Sequence, residues 1–374
     1  MFAIGEDKAY FAGSDSEKLD NGKTLRKVAE KCYLPTNKLL LKLLTDHPDF
    51  KISFSISGLA LEQFSEFAPE VLESFKQLVA TGRVELLAET YYHSLAFLKS
   101  PKEFVRQVDK HQRKIEEVFG VKPRVLRNTE LIYSNELAKL AEEMGFVAVL
   151  AEGVDRNLGW RSPNFVYKPK GAERVKLLLK NYRLSDDIAF RFSKRDWEGW
   201  PLTADKFAAW INQAEGEVVN LFMDYETYGE HQWADTGIFE FLQQLPAAVL
   251  ASGNNFMSVS EAVEKHVVMD EVDMPNITSW ADLERDTSAW TANPMQNTAL
   301  SALFEMEDKV MESGDEQLID NWSKLTTSDH FYYMSTKWDS DGEVHKYFSP
   351  NTSPFEAYTN FMNVLHDMRI RCYS

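Results

Sequence analysis

Residues 218–233 read Val218-Val-Asn-Leu-Phe-Met-Asp224-Tyr-Glu226-Thr-Tyr-Gly229-Glu230-His231-Gln-Trp233, an apolar run that breaks without a linker into carboxylates, a histidine and a tryptophan. The first six residues are the most strand-like of the chain. In a (β/α) barrel, side chains at the C-terminal ends of strands point into the active-site mouth. Four ionisable groups placed there together, Asp224, Glu226, Glu230 and His231, are costly to desolvate without a function. The plainer alternative is a solvated loop with a helix cap. Tryptophan and histidine beside the carboxylates favour a sugar site.

The same rhythm runs upstream. Short apolar or β-branched stretches at 51–57, 84–88, 124–127, 147–151 and 175–182 alternate with segments of helical period, and 256–258 adds a further short stretch. Ser100-Pro101-Lys102-Glu103 predicts a helix start, with proline at the first helical position. Phe104, Val108, His111 and Ile115 follow at helical spacing. Strands separated by such helices imply βαβ units in a parallel sheet, and about 250 residues of them suit a closed (β/α) barrel. After residue 266 the strand signals stop. Leu300, Leu303, Leu318, Trp322 and Leu325 are spaced as helical stripes, and Ser353-Pro354-Phe355-Glu356 opens another helix. The expected division is a barrel over 1–265 and a helical subdomain over 266–374 that completes the cleft.

Two more expected strand ends carry polar clusters. Arg127-Asn-Thr-Glu130-Leu-Ile-Tyr133 places Glu130 just past one; alone, Glu130 could equally be a first-turn acid of the next helix. Glu89-Thr-Tyr-Tyr-His93 follows another, where Glu89 and His93 fit the binding of substrate hydroxyls. A metal role for His93 is disfavoured, since no His-x3-His or His-x4-His pair accompanies it. Carboxylates from two strands can face one another across a barrel mouth, the arrangement that glycoside hydrolysis needs.

Bulk properties narrow the partners. With 58 acidic residues against 41 basic ones, the formal net charge is −17, which repels phosphate backbones and anionic lipid but not a neutral polymer. Neither nucleic acid nor membrane is expected as a partner, and the oligomeric state is not legible. No signal peptide or membrane-length apolar run is visible. The two cysteines, Cys32 and Cys372, read as reduced thiols of a cytoplasmic protein.

The three clusters, together with Leu184–Ser193 (LSDDIAFRFS), Ser279-Trp280-Ala-Asp-Leu-Glu-Arg-Asp and Thr327-Ser-Asp329-His330-Phe-Tyr-Tyr-Met334, resemble regions of glycoside hydrolase family 57, in particular its α-amylase-type members. Several long motifs in the same order carry this likeness over nearly the whole chain. The resemblance implies a (β/α)7 barrel followed by a helical bundle, and a retaining hydrolase acting on α-1,4-glucans or maltooligosaccharides without cofactor or metal. It further implies Glu130 as nucleophile and Asp224 as general acid/base. Arg127, Glu226 and His231 are expected to line the substrate site. Trp233, Trp280, Trp290, Asp329 and His330 could reach it too, although core or surface placement is equally compatible.

One departure matters. Such chains open with a strand bearing a His-Gln-Pro motif whose histidine lines the sugar site. Here residues 1–10 resemble the segment downstream of that strand, and neither His111-Gln112 nor His231-Gln232 precedes a proline. The expectation is an incomplete barrel lacking its first strand, with about 20 further residues, a strand and its loop, in the natural protein. Three other readings stay open: a 4-α-glucanotransferase, a branching enzyme, and a glucan-binding chain impaired in catalysis. A metal-dependent deacetylase would need an aspartate and two histidines at ligand spacing, which the sequence does not show.

Overall fold

The computed structural model describes residues 10–11, 20–337 and 349–373. Its seven strands are β1 (Ile52–Ser55), β2 (Val84–Leu87), β3 (Val125–Arg127), β4 (Ala148–Glu152), β5 (Val166–Pro169), β6 (Lys176–Lys180) and β7 (Val268–Val272). β1 pairs with β2 in parallel, Ile52 opposite Val84. A second sheet runs in the order β3-β4-β6-β5-β7. The parallel bridge between Ala88 and Leu126 joins the two sheets, with Ala88 N–H donating to Val125 O and Arg127 N–H to Ala88 O, both at 2.8 Å.

Side chains alternate across these strands. On one face Leu87, Val125, Ala148, Leu150, Val166 and Leu178 pack with Val259, Ala262 and Val263 of the helix Val259–Lys265. On the other, Leu126, Val149, Ala151, Leu177 and Leu179 meet Phe104 and Val108 of the helix Pro101–Phe119 and Leu137 and Ala141 of the helix Asn135–Glu143. Burial on both faces explains why these strands read as unbroken apolar runs. Each fully buried leucine or valine contributes about 1.5–3 kcal/mol relative to an exposed one.

Five expected runs form strands, and the α/β class holds, but the wholly parallel sheet does not. β5 is antiparallel to β6 and parallel to β7. Only residues 170–175 separate β5 from β6, too few for a parallel crossover. The Glu142 carboxylate holds that turn by accepting the N–H groups of Glu173, Arg174 and Val175. Residues 218–223 and 256–258 form no strand. Beside β6 the first of them makes one backbone bond, Asn181 N–H to Asn220 O at 2.9 Å. Side chains supply two more, Asn220 Nδ2 donating to Leu179 O and Ser185 Oγ accepting from Phe222 N–H. Nor do strands stop at residue 266, since β7 forms with three of its five residues exposed.

Helices follow: Ser288–Thr291, Pro294–Phe304, Glu307–Glu312, Glu316–Leu325, Ser328–Tyr332 and Pro354–Tyr373. Their shared core holds Leu300, Leu303, Trp322, Phe331 and Phe361, and also Leu95 and Ile132 from the loops after β2 and β3. The helical part therefore packs directly on those loops. The last helix buries Ala357, Phe361, Val364 and Met368, while Phe355 in its first turn is 67% exposed. Residues 1–9, on which the missing-strand expectation rests, lie outside the described residues. Among the described residues no helix is long and apolar enough to cross a membrane.

Candidate active site

The loops after β2 and β3 lie side by side because their strands pair. The hydroxyls of Thr90 and Thr129 meet at 2.8 Å. His93 spans the two loops, its Nδ1 2.9 Å from Glu89 Oε2 and its Nε2 2.8 Å from Glu130 Oε1. Ser55 on β1 donates to Glu89 Oε1 at 2.8 Å, and the Arg127 guanidinium lies 3.9 Å from Glu89 Oε2. On the other side of Glu130, the indole N–H of Trp280 donates to Oε2 at 2.6 Å. Arg127 and Lys180 both lie over the Trp280 ring, at 4.9 and 5.2 Å.

The backbone bends to make these contacts. His93, Glu130 and Leu131 have φ of 50°, 55° and 51°, left-handed values that non-glycine residues keep only where the surroundings enforce them. The C-terminal part helps to enforce them. Ser328 N–H donates to His93 O at 3.0 Å, and Trp280 N–H donates to Glu130 O at 3.2 Å. Tyr133 and Thr278 exchange two more backbone bonds, of 2.9 and 2.8 Å.

The segment 224–233 sits on the N-terminal helices Asn21–Val28 and Leu34–Asp46, which a π-helical turn, Ala29–Tyr33, connects. Such turns frequently occur at functional sites. Tyr33 hydroxyl donates to Glu226 Oε1, and Thr36 donates to Tyr228 O at 3.1 Å. Glu230 lies 3.4 Å from Lys27 Nζ and 3.9 Å from Lys31 Nζ. Lys31 also stands 5.0 Å above the ring of Trp233, which is 54% exposed. Gly229, at φ 111°, passes so close to Lys31 that a Cβ would overlap the lysine carbonyl.

Two carboxyls are driven in opposite directions. Burial alone would raise that of Glu130, but the His93 hydrogen bond, the charges of His93 and Arg127, and the Trp280 N–H overcome it and hold it down to about 2. Glu89 is held down to about 2 in the same way, by His93 and Arg127 against burial. Burial would lower the His93 imidazole, yet Glu130 and Glu89 raise it to about 10. For Asp224, the enclosing walls and then the charges of Glu130 and Glu226 push the carboxyl up to about 6, against His231 and Arg127. Asp224 is nevertheless exposed to water. Water screens the effect of the walls, so the two negative neighbours are the firmer cause. Among the described residues no group donates a hydrogen bond to its side chain.

The model of glycosyl hydrolase family 57 matches residues 15–275. The chain belongs to glycosyl hydrolase family 57. It is 46% identical over 360 residues, 93% of this chain and 76% of the relative, to a Methanocaldococcus jannaschii protein provisionally named an alpha-amylase. Its fold is similar to that of the family 57 branching enzyme of Thermococcus kodakaraensis, with a TM-score of 0.72 at 14% identity, covering 97% of this chain and 88% of that one. The 4-alpha-glucanotransferase of Thermococcus litoralis gives 0.59 at 18% identity over 88% of this chain. This chain spans 52% of that protein's length.

Of the residues expected at the site of this family 57 chain, the structure gathers Glu89, His93, Arg127, Glu130 and Trp280. Asp224, Glu226 and His231 lie within electrostatic reach. Asp329 does too: enclosure raises its carboxyl, His93 opposes that, and Glu130 adds to it. Trp233 is exposed beside Lys31. Trp290 does not join them; it is 2% exposed in the helical core, because helix Ser288–Thr291 turns its indole towards Tyr332. His330 turns away as well, its Nε2 3.2 Å from Lys324 O and its ring between Phe11 and Phe361. Burial drives it down to about 3, so it is neutral.

Four neighbours escaped the sequence reading: Ser55, Glu152, Lys180 and Arg285. Glu152, wholly buried at the end of β4, lies 2.7 Å from Arg285 and 3.6 Å from Lys180. A carboxylate at the C-terminal end of a strand was the available signal, the same one that marked Glu89 and Glu130. Among the described residues no group of three His, Cys, Asp or Glu is arranged to hold a metal ion.

Proposed function

We propose that the chain is a retaining hydrolase of α-1,4-glucans, of α-amylase type, with Glu130 as nucleophile and Asp224 as general acid/base. The observation that carries this reading is the opposed state of two neighbouring carboxyls. Glu130 is held ionised well below neutrality, and Asp224 keeps its proton up to about 6. Such a pair supplies both roles of double displacement. Glu130 attacks the anomeric carbon as the glycosidic bond breaks, and the leaving oxygen takes the proton of Asp224. Asp224 then accepts a proton from water, whose oxygen displaces Glu130 and restores the starting configuration.

Glu226, His231, Trp233, Trp280 and Asp329 would line the sugar path, Trp233 offering an exposed ring for stacking. The sheet over 1–265, with β7 added, would be an incomplete (β/α)7 barrel, and the helices that follow would complete the cleft. A cytoplasmic setting fits the free thiols of Cys32 and Cys372.

The test is incubation of soluble starch and maltooligosaccharides with the parent and with Glu130→Gln and Asp224→Asn. The expected result is α-anomeric products from the parent and losses of at least ~100-fold in each variant. Products longer than the substrate would assign transfer instead of hydrolysis. Parental rates in either variant would refute the role given to that residue.

A further inference from the structure

We propose that His93 is a positioning residue for Glu130 and not a sugar-binding one: a doubly protonated imidazolium, clamped between Glu89 and Glu130, that reserves Glu130 Oε2 for attack. The inference rests on Glu130 being the nucleophile.

The geometry requires an additional proton. A neutral imidazole carries one N–H and one lone pair. Both His93 nitrogens face carboxylate oxygens, at 2.9 and 2.8 Å. A lone pair on either would point at a negative oxygen, whereas the imidazolium donates on both sides. Once both nitrogens are committed, none remains for a substrate hydroxyl. Glu89 is committed too: it is 2% exposed, its Oε1 takes the Ser55 hydroxyl, and its Oε2 faces His93. Its role is to hold a cation in place from behind.

The other groups facing this trio agree. From β3, Arg127 adds positive charge near both carboxylates. His111, on the helix Pro101–Phe119, accepts the Glu89 N–H at Nδ1, 3.3 Å away, and donates from Nε2 to Ile56 O at 2.8 Å, the pattern of a neutral ring. Asp329, on Ser328–Tyr332, adds a negative neighbour from the open side. The strained φ of His93 is pinned at both ends, His93 N–H donating to Thr90 O at 3.1 Å and Ser328 N–H to His93 O at 3.0 Å.

The two Glu130 oxygens are thereby made unequal. Oε1 is bound to a cation, while Oε2 receives only the neutral indole N–H of Trp280. Charge-assisted hydrogen bonds are the stronger ones, so Oε2 is the more electron-rich oxygen and forms the bond to the anomeric carbon. Oε1 becomes the ester carbonyl, still held by His93. When water attacks C1 and gives its proton to Asp224, the C1–Oε2 electron pair returns to the Glu130 carboxylate. His93 keeps its proton throughout.

Protein labelled with 15N-histidine tests this directly, with His93→Gln assigning the signal. At pH 8, where an ordinary histidine is neutral, both His93 nitrogens are expected at imidazolium shifts; a neutral-ring pattern would overturn the proposal. Glu89→Gln keeps an acceptor but removes the charge behind the ring. His93 should then titrate at lower pH than in the parent, and an unmoved titration would equally overturn it. In kinetics, His93→Gln should lose at least ~100-fold in kcat, as when one preorganised donor is removed. KM should change little, and the acidic limb should move to higher pH. A raised KM with kcat retained would make His93 a substrate ligand. Imidazolium shifts in a protein that cleaves no glucan would sink the hydrolase reading and leave the clamp standing.

Discussion

The pH profile is the sharpest consequence of the opposed carboxyls. In the proposed mechanism the active form has Glu130 ionised and Asp224 protonated. With Glu130 held down to about 2 and Asp224 raised to about 6, kcat/KM on maltooligosaccharides should be flat between those values. Above pH 6 it should fall tenfold per unit, reaching about 100-fold below the plateau at pH 8. The position of the limb follows from charges that can be removed. Glu226→Gln deletes one of the two negative neighbours that raise Asp224 and keeps an oxygen for the Tyr33 hydroxyl, so the limb should move to lower pH. Asp224→Asn should abolish the limb. It should lose far less activity on an aryl glycoside, whose leaving group departs without a proton, than on maltotetraose. The assay is initial rates across pH 3–9 in buffers of constant ionic strength. A limb that persists unchanged in Asp224→Asn, or that moves upward in Glu226→Gln, would refute the reasoning.

Three further outcomes are expected. Asp224 gains its raised value only on folding, so its ionisation opposes folding above pH 6, and the opposition vanishes below its ordinary 3.8; Asp224→Asn should melt higher than the parent at pH 8, with the gap closing by pH 3. Gly229→Ala would set a Cβ 2.9 Å from the Lys31 carbonyl carbon at φ 111°. Strain of at least about 1–3 kcal/mol should lower the melting temperature by several degrees, and a melt matching the parent would mean that the segment 224–233 does not sit on the π-turn. Trp290→Ala should cost about 3–5 kcal/mol in denaturant unfolding as a core deletion, with KM unaltered; a raised KM at parental stability would return Trp290 to the cleft.

The sequence made the ends of β2 and β3 legible, but not those of β4 and β6, whose Glu152 and Lys180 went unmarked. Apolar runs at β2 and β3 stop at Glu89 and Glu130, and the chemistry begins there. It hid β7, because Val268-Met-Asp-Glu-Val lies largely in water and carries edge-strand charges. It suggested a strand at 218–223 because the run is apolar, although side-chain amides and hydroxyls complete its bonding there. Residue type did not separate Trp280 from Trp290. Both are tryptophans of the C-terminal part, and only the turn of the chain sends one to Glu130 and the other into the core. The left-handed backbone of His93 and Glu130 left no mark in the residue types either, since neither is glycine.

Ser328 and Trp280, whose backbone N–H groups hold the carbonyls of His93 and Glu130, both lie beyond residue 275, where the family match ends. The working shape of Glu130, the proposed nucleophile, is thus cast in a two-part mould, one part the sheet and the other a later stretch of chain. Substitutions in that later stretch can retune the reacting carboxylate while leaving every strand in place. A single nick between the parts should silence the enzyme well before the sheet melts.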